Sequence, residues 1–290
     1  MPNNQNPAAA SGLAELAPNY RYLLCDVWGV VHNGLAALPE AGRALARFRS
    51  GGGRVLLITN APRLKTQVAE QLDRFGVDRA AYDDIVTSGE ATRTYLAARH
   101  GERVFHLGAD RDLPLYGGLD VTLTNAASAS LICCTGLFND DTETPDDYAA
   151  DLAAWAARQL PMVCANPDIV VERGDRLLWC AGALAERYRA IGGPTIVFGK
   201  PHPPIYATAL ARLAEITGAP AAPDSIVAIG DGVATDVRGA NQAGLDVLFI
   251  TAGIHAEAFG HRDNPDAAAV HAVLADAGLG ARAFVPRLAW

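Results

Sequence analysis

The stretch Tyr22-Leu23-Leu24-Cys25-Asp26-Val27-Trp28-Gly29-Val30-Val31 decides how the rest of the chain reads. An apolar run of strand length ends in a single carboxylate, followed by a turn of small residues. A buried strand that stops at an aspartate delivers a charge to the rim of a sheet. In open α/β sheets that rim is where ligands bind. Taken alone, Asp26 reads first as a turn cap. Later stretches that carry matching chemistry at the same kind of position tip the reading towards a site.

Working outward, residues 54–59 form a second apolar run that ends at Thr59-Asn60. Leu64, Val68, Leu72 and Phe75 then recur at helical spacing, with Gly76 as a stop. Thr59 and Asn60 therefore lie between a strand end and a helix start, where free backbone N–H groups favour an anion. A helix over 39–49 precedes this strand, and a third short strand, 85–87, follows it, with Thr87 and Glu90 spaced as a capping box. Near the other end, 195–198 reads as a strand running into Gly199-Lys200-Pro201. Residues 225–229 form another that ends at Gly230-Asp231, with Asp236 opening a helix. A further strand follows at 245–250, and the Ala-rich residues from His255 onward read as helix. Strands alternating with helices predict an α/β fold with a mostly parallel sheet covered on both faces.

Asp26 and Thr59 are 33 residues apart, and Lys200 and Asp231 are 31 apart. Each interval suits one βαβ unit, so each pair can reach the same edge of one sheet. The 140 residues between Thr59 and Lys200 far exceed a crossover, which predicts a second folding unit inserted there. Within that interval 104–107, 131–134 and 162–165 read as strands. Helices are expected after Thr144-Pro145 and over 183–191. The expected division is a flexible N-terminal segment over 1–19, a core over 20–89 and 194–290, and the inserted unit over 90–193.

Composition narrows the partners. Of 290 residues half are hydrophobic and 19% charged, enough for a sizeable core. The net charge of −8 argues against nucleic acid or an anionic membrane as the main partner. No run approaches the ~18 apolar residues of a membrane span. The first 19 residues lack Lys and Arg and so do not read as a signal peptide. Five cysteines without a Cys-x-x-Cys pair suit a reducing compartment. A cytoplasmic, soluble protein is expected.

Asp26, Thr59, Lys200 and the Asp231/Asp236 pair together meet the demands of phosphoryl transfer to a protein carboxylate. That chemistry needs a nucleophile, a cation, and donors for the equatorial oxygens. Asp26 would attack phosphorus. Asp26 and Asp231 would supply hard oxygen ligands to Mg²⁺. The Thr59 hydroxyl, the Asn60 backbone and the Lys200 ammonium would hold the phosphoryl group.

On these residues the chain resembles the haloacid-dehalogenase superfamily, in its class IIA branch of nitrophenyl-phosphatase and sugar-phosphatase-like proteins. Asp26-Val-Trp-Gly-Val-Val is similar to motif one, Leu57-Ile-Thr-Asn60 to motif two, Gly199-Lys200-Pro201 to motif three and Gly230-Asp231 through Asp236 to motif four. The resemblance covers roughly residues 20–255. It implies a Rossmann-like core with an inserted α/β cap, Mg²⁺ as cofactor, and a small phosphorylated substrate. It gives Asp26, Thr59 and Lys200 catalytic roles. Thr59, Asn60, Lys200 and the cap residue Asp168 would meet substrate, while Asp26, Asp231, Asp236 and the backbone carbonyl of Trp28 would hold metal. A cap-mediated homodimer is a further implication.

Position 28 departs from that pattern. The family's phosphatases carry a second Asp two residues after the nucleophile, which protonates the leaving group. Here it is Trp28. General acid–base help is worth typically ~10²–10⁴-fold in rate, and an indole cannot give it near neutral pH. Three readings stay open. The first is a phosphatase with a substitute acid, for which His32 and His202 are candidates, or with an undemanding leaving group. The second is a dehalogenase-like hydrolase, against which the retained Asp231 and Asp236 speak. The third is a weak or inactive binder of phosphorylated metabolites. Arg63 and Arg173 are further charges available to a polar substrate.

Overall fold

The computed structural model describes residues 6–290. In chain order its first strands are β1 (Ala8–Ala9), β2 (Tyr22–Cys25), β3 (Arg54–Thr59) and β4 (Asp84–Thr87). Then come β5 (Glu102–Leu107), β6 (Val121–Leu123), β7 (Leu131–Cys134), β8 (Met162–Cys164), β9 (Val170–Arg173), β10 (Arg176–Trp179) and β11 (Thr195–Val197). The chain closes with β12 (Ile226–Gly230), β13 (Asp246–Ile250), β14 (Gly260–His261), β15 (Asn264–Pro265) and β16 (Ala283–Val285).

Among the described residues seven strands form one parallel sheet in the order β1-β16-β13-β12-β2-β3-β4. Its strands alternate between two apolar layers, as the two-residue pleat requires. Leu23, Cys25, Val55 and Leu57 face the helices Pro39–Ser50 and Lys65–Phe75 through Leu45, Phe48, Val68 and Leu72. Leu24, Leu56, Ile58 and Phe249 face the opposite layer, built from Ile205, Leu213, Val237 and Leu274. Strands covered on both faces must be apolar at every position, which is why they stand out as continuous runs.

A second parallel sheet, β11-β8-β7-β5-β6, lies between the two halves of the first in sequence. Trp155, Leu184 and Tyr188 cover one of its faces and Leu96, Leu115 and Tyr116 the other. The fold is thus α/β, a Rossmann-like core carrying an inserted α/β cap. An antiparallel hairpin, β9-β10, leaves the cap between Asp168 and Cys180.

The structure corrects the sequence reading in three places. Thr195–Val197, expected in the core, pairs with Met162–Cys164 in the cap sheet. Its exposed Ile196 suits an edge strand better than a buried core strand. Second, the expected flexible segment 1–19 is ordered over its described residues 6–19, residues 1–5 lying outside them. Ala8–Ala9 extends the core sheet beside Ala283–Val285, and Leu13 is fully buried. Burial of Leu13 and Leu16 in the same apolar layer as Leu45 anchors this arm. Third, the region after His255 is only partly helical. Ala267–Asp276 is a helix, but Gly260–Pro265 turns as a hairpin and Ala283–Val285 joins the core sheet. No helix among the described residues is long and apolar enough to cross a membrane.

Candidate active site

The carboxyl ends of β2, β3 and β12 lie side by side, because Cys25 is in register with both Leu57 and Ile229. This is where the strand order reverses, the position at which open parallel sheets leave a crevice. Asp26 follows β2, Thr59 ends β3, and Asp231 follows β12. The cap sheet presents the same kind of edge to the same space. Cys134 and Val197 are both in register with Cys164, so the ends of β7, β8 and β11 are level. Thr135, Asn166-Pro167-Asp168 and Gly199-Lys200 emerge there. A single cleft is lined by Asp26, Thr59, Asn60, Asp168, Lys200, Asp231 and Asp236, together with Trp28.

Within it Lys200 Nζ donates to Asp26 Oδ1 at 2.5 Å and to Asp236 Oδ1 at 2.7 Å. All three side chains are buried. Burial works against the Lys200 ammonium, but Asp236 and Asp26 outweigh it and hold the lysine charged. One ammonium cannot balance three carboxylates. Burial, and then the Asp236 charge, push the Asp26 carboxyl well above the usual range. The same two causes raise Asp231 to about 7, against the Ile254 N–H donated to its Oδ2 at 2.9 Å. Asp236 Oδ2 accepts from Gly232 N at 3.0 Å.

The excess negative charge is what a divalent cation neutralises. Asp26, Asp231 and Asp236 each offer an oxygen, all within 4.8 Å of one another. An all-oxygen, carboxylate-rich set suits a hard cation. The space is also shaped for it. Asp231 is wedged between Gly29 and Gly253, where an added Cβ would fall 2.2 Å and 1.9 Å from Asp231 Oδ2. Gly29 additionally holds φ at +85°, a conformation side chains resist.

Asn60 fastens the cap to the core. Its Oδ1 accepts from Lys200 N at 2.6 Å, and its Nδ2 donates to Lys200 O at 3.2 Å and to Asp168 Oδ1 at 2.8 Å. The Asn60 side chain, expected to contribute only through its backbone, is thus a structural pin. Thr59 Oγ1 accepts from Ala61 N at 3.2 Å.

Trp28 has contacts of its own. Its indole Nε1 donates to the backbone carbonyl of Glu172 on β9, and the Glu172 carboxylate pairs with Arg262 at 3.0 Å. Gly174 N donates to Asn33 O at 3.2 Å at the hairpin turn. The hairpin therefore roofs the cleft and is tied to the core at three points. Its docking was not legible in the sequence, where Val170–Trp179 carries no motif.

Neither histidine considered as a substitute acid lines this cleft. His32 is buried between the Trp28 and Phe75 rings, both 5.0 Å away. Its Nδ1 accepts from Gly34 N, and burial pushes it down to about 4, so it is neutral where an acid must be charged. His202 lines a neighbouring depression that shares Asp168, Gly232 and Thr235 with the cleft, and is not among the residues lining the cleft itself. Arg63 pairs with Asp112 and Arg173 with Asp141, and both border a neighbouring chamber.

A switch-point cleft of paired carboxylates and a buried lysine, roofed by an inserted cap, defines the haloacid-dehalogenase class of hydrolase. Comparison with known proteins agrees. Residues 23–122 match the haloacid dehalogenase-like hydrolase model, and 197–277 match a second model of the same kind. A hydrolase of the haloacid dehalogenase-like family from Brucella suis 1330 superposes with a TM-score of 0.86 at 44% identity. That match covers 97% of this chain and 99% of the other. Ribonucleotide monophosphatase NagD of Escherichia coli K12 is 28% identical over 238 residues, 80% of this chain and 88% of NagD. D-glycerol 3-phosphate phosphatase of Mycobacterium tuberculosis is 30% identical over 254 residues, 84% and 66% of the two chains. The chain belongs to the haloacid dehalogenase-like hydrolase family.

Proposed function

We propose that the protein is a Mg²⁺-dependent phosphatase of a small phosphorylated metabolite, working through an aspartyl phosphate on Asp26. The observation that carries this reading is the position of Asp26, at the switch point between the Lys200 ammonium and the Asp231/Asp236 carboxylates. Asp26 takes the phosphoryl group; Lys200, the Thr59 hydroxyl and the Asn60 backbone hold its oxygens. Asp26, Asp231, Asp236 and the Trp28 carbonyl would hold the metal, which supplies charge neutralisation for the transferring phosphoryl group. The same acidic set speaks against metal-free dehalogenation.

A phosphate-release screen over alkyl, aryl, acyl and nucleotide phosphates tests the proposal. Turnover that needs Mg²⁺, stops with chelator and is lost in Asp26→Asn is expected. No release from any member, combined with a Mg²⁺- and phosphate-dependent rise in Tm, would instead mark a non-hydrolytic binder.

A further inference from the structure

The catalytic cleft opens sideways into a second chamber of about 240 Å³ between the cap and the core. Trp28, Thr59, Asp168 and Val171 line both spaces. A phosphate monoester with its phosphorus at Asp26 and its alcohol portion in the chamber must pass its bridging oxygen between these four side chains. The chamber suits a compact, uncharged and partly apolar group. Trp28, Leu137, Leu178 and Trp179 supply apolar surface, and Arg63 is already neutralised by Asp112. The buried Thr135 hydroxyl, just past the end of β7, lines it without a hydrogen-bond partner among the described residues.

The bridging oxygen of an alkyl ester leaves as an alkoxide unless it is given a proton. Of the four side chains at the passage, Val171 has no proton to give. The Trp28 N–H is already donated to Glu172 O. The Thr59 hydroxyl is too weak an acid. Outside the Asp26/Asp231/Asp236 set that would hold the metal, the carboxyls elsewhere in the two spaces are committed: Glu172 to Arg262, Asp112 to Arg63, and Asp140 to Arg111. Asp168 differs from all of these. Its Oδ1 accepts from Asn60 Nδ2, and no arginine or lysine pairs with it among the described residues.

On this geometry, and resting on the phosphatase reading above, we infer that Asp168 is the general acid and base of the reaction, a catalytic residue supplied by the cap in place of the one that position 28 lacks. As the Asp26 carboxylate oxygen bonds to phosphorus, the P–O bond to the alcohol breaks with its electron pair on the bridging oxygen. The Asp168 carboxylic acid gives that oxygen its proton, releasing the alcohol and leaving an Asp168 carboxylate. In the second step that carboxylate takes a proton from the attacking water. The Asp26–phosphorus bond then breaks with its electrons returning to Asp26, so phosphate and a reprotonated Asp168 result.

The surroundings favour the acid form. Burial is the largest influence on Asp168 and pushes its carboxyl up; Lys200 and the Asn60 amide oppose this, and Asp236 reinforces it. The other titrating groups that feel it are Asp231, Cys164 and Cys180. Asn60 orients it, joining the proton donor to the Lys200 backbone through one side chain.

The test compares Asp168→Asn with wild type on a panel of alkyl monoesters, glycerol 2-phosphate among them, and on acetyl phosphate, whose leaving group needs no proton. The asparagine keeps the shape and an acceptor for Asn60. Its kcat/KM, which reports only the steps up to the aspartyl phosphate, is expected to fall ~10²–10⁴-fold on alkyl esters while changing only a few-fold on acetyl phosphate; the second step, common to both substrates, slows alike. In wild type the alkyl-ester kcat/KM falls on the alkaline side as Asp168 ionises, and that limb is absent with acetyl phosphate. The wild-type pH profiles carry the test even if the variant fails to fold. An equal loss of kcat/KM on both substrate types, no loss, identical wild-type pH profiles of kcat/KM, or turnover of acetyl phosphate with no alkyl ester hydrolysed would each overturn the assignment. A wild-type protein that hydrolyses neither class would instead refute the phosphatase reading itself.

Discussion

The core sheet and the cap sheet present the same end, their carboxyl edge, to one cleft, yet they furnish it differently. The core edge carries Asp26, Thr59 and Asp231 directly at the ends of register-matched strands. Two of its carboxylates are fixed by backbone donors, Ile254 N and Gly232 N. The cap edge carries Lys200 and Asp168 on short loops, held mainly by one core side chain, Asn60. The anionic half of the site is therefore built into the core, whereas its cation sits on the connection from the cap strand β11 to the core helix Pro203–Thr217.

Breaking the charge balance between the two edges has the largest expected effect. Lys200→Met leaves Asp26 and Asp236 facing each other without their ammonium. It should abolish turnover and destabilise the fold by about 3–5 kcal/mol, the usual cost of stranding a buried charge. Denaturant titration in chelator measures this, and added Mg²⁺ should recover part of the loss.

A pH titration separates core packing from site chemistry. His32 is neutral and buried, held near 4 against its ordinary value of 6.5. Its stabilising contribution is full above 6.5 and is lost as pH falls towards 4, because only the unfolded chain takes up the proton in that window. Between pH 7 and pH 4 wild type should lose about 3 kcal/mol more stability than His32→Gln. Equal slopes would place the histidine outside the core.

Asn60→Ala removes the pin between the edges. It should cost about 2 kcal/mol, since it leaves Lys200 N unsatisfied, and lower kcat/KM more on alkyl esters than on acetyl phosphate, because Asp168 loses its orienting donor. The smallest effect belongs to the roof. Trp28→Phe keeps the ring but loses the hydrogen bond to Glu172 O, worth about 1 kcal/mol. Faster amide exchange confined to the Val170–Trp179 hairpin is the expected signature.

The same contrast explains what could be read from the sequence. The core edge was legible because each of its groups ends a continuous apolar run, as at Leu23-Leu24-Cys25-Asp26 and Ile226 through Asp231. Covered parallel strands must be apolar throughout, so their ends are sharply marked. Lys200 was placed in the cleft for a mistaken reason. Its preceding strand belongs to the cap sheet, and a short apolar run does not say which sheet it joins. The Ala8–Ala9 strand was missed because two alanines carry no strand signal; pairing with Ala283–Val285 defines it. The docking of the β9-β10 hairpin and the Asn60 pin were invisible because they depend on contacts between residues more than 100 positions apart. The histidines were plausible acids only until burial and their place outside the cleft were known.

The central claim is that both edges assemble one phosphoryl-transfer site on Asp26. Incubation with acetyl [³²P]phosphate and Mg²⁺, rapid acid quench and recovery of the protein tests it directly. Expected is label bound to wild type, released by hydroxylamine as an acyl phosphate must be, and absent from Asp26→Asn and from samples with chelator. Label retained by Asp26→Asn, or a wild type that hydrolyses acetyl phosphate without passing through labelled protein, would contradict it.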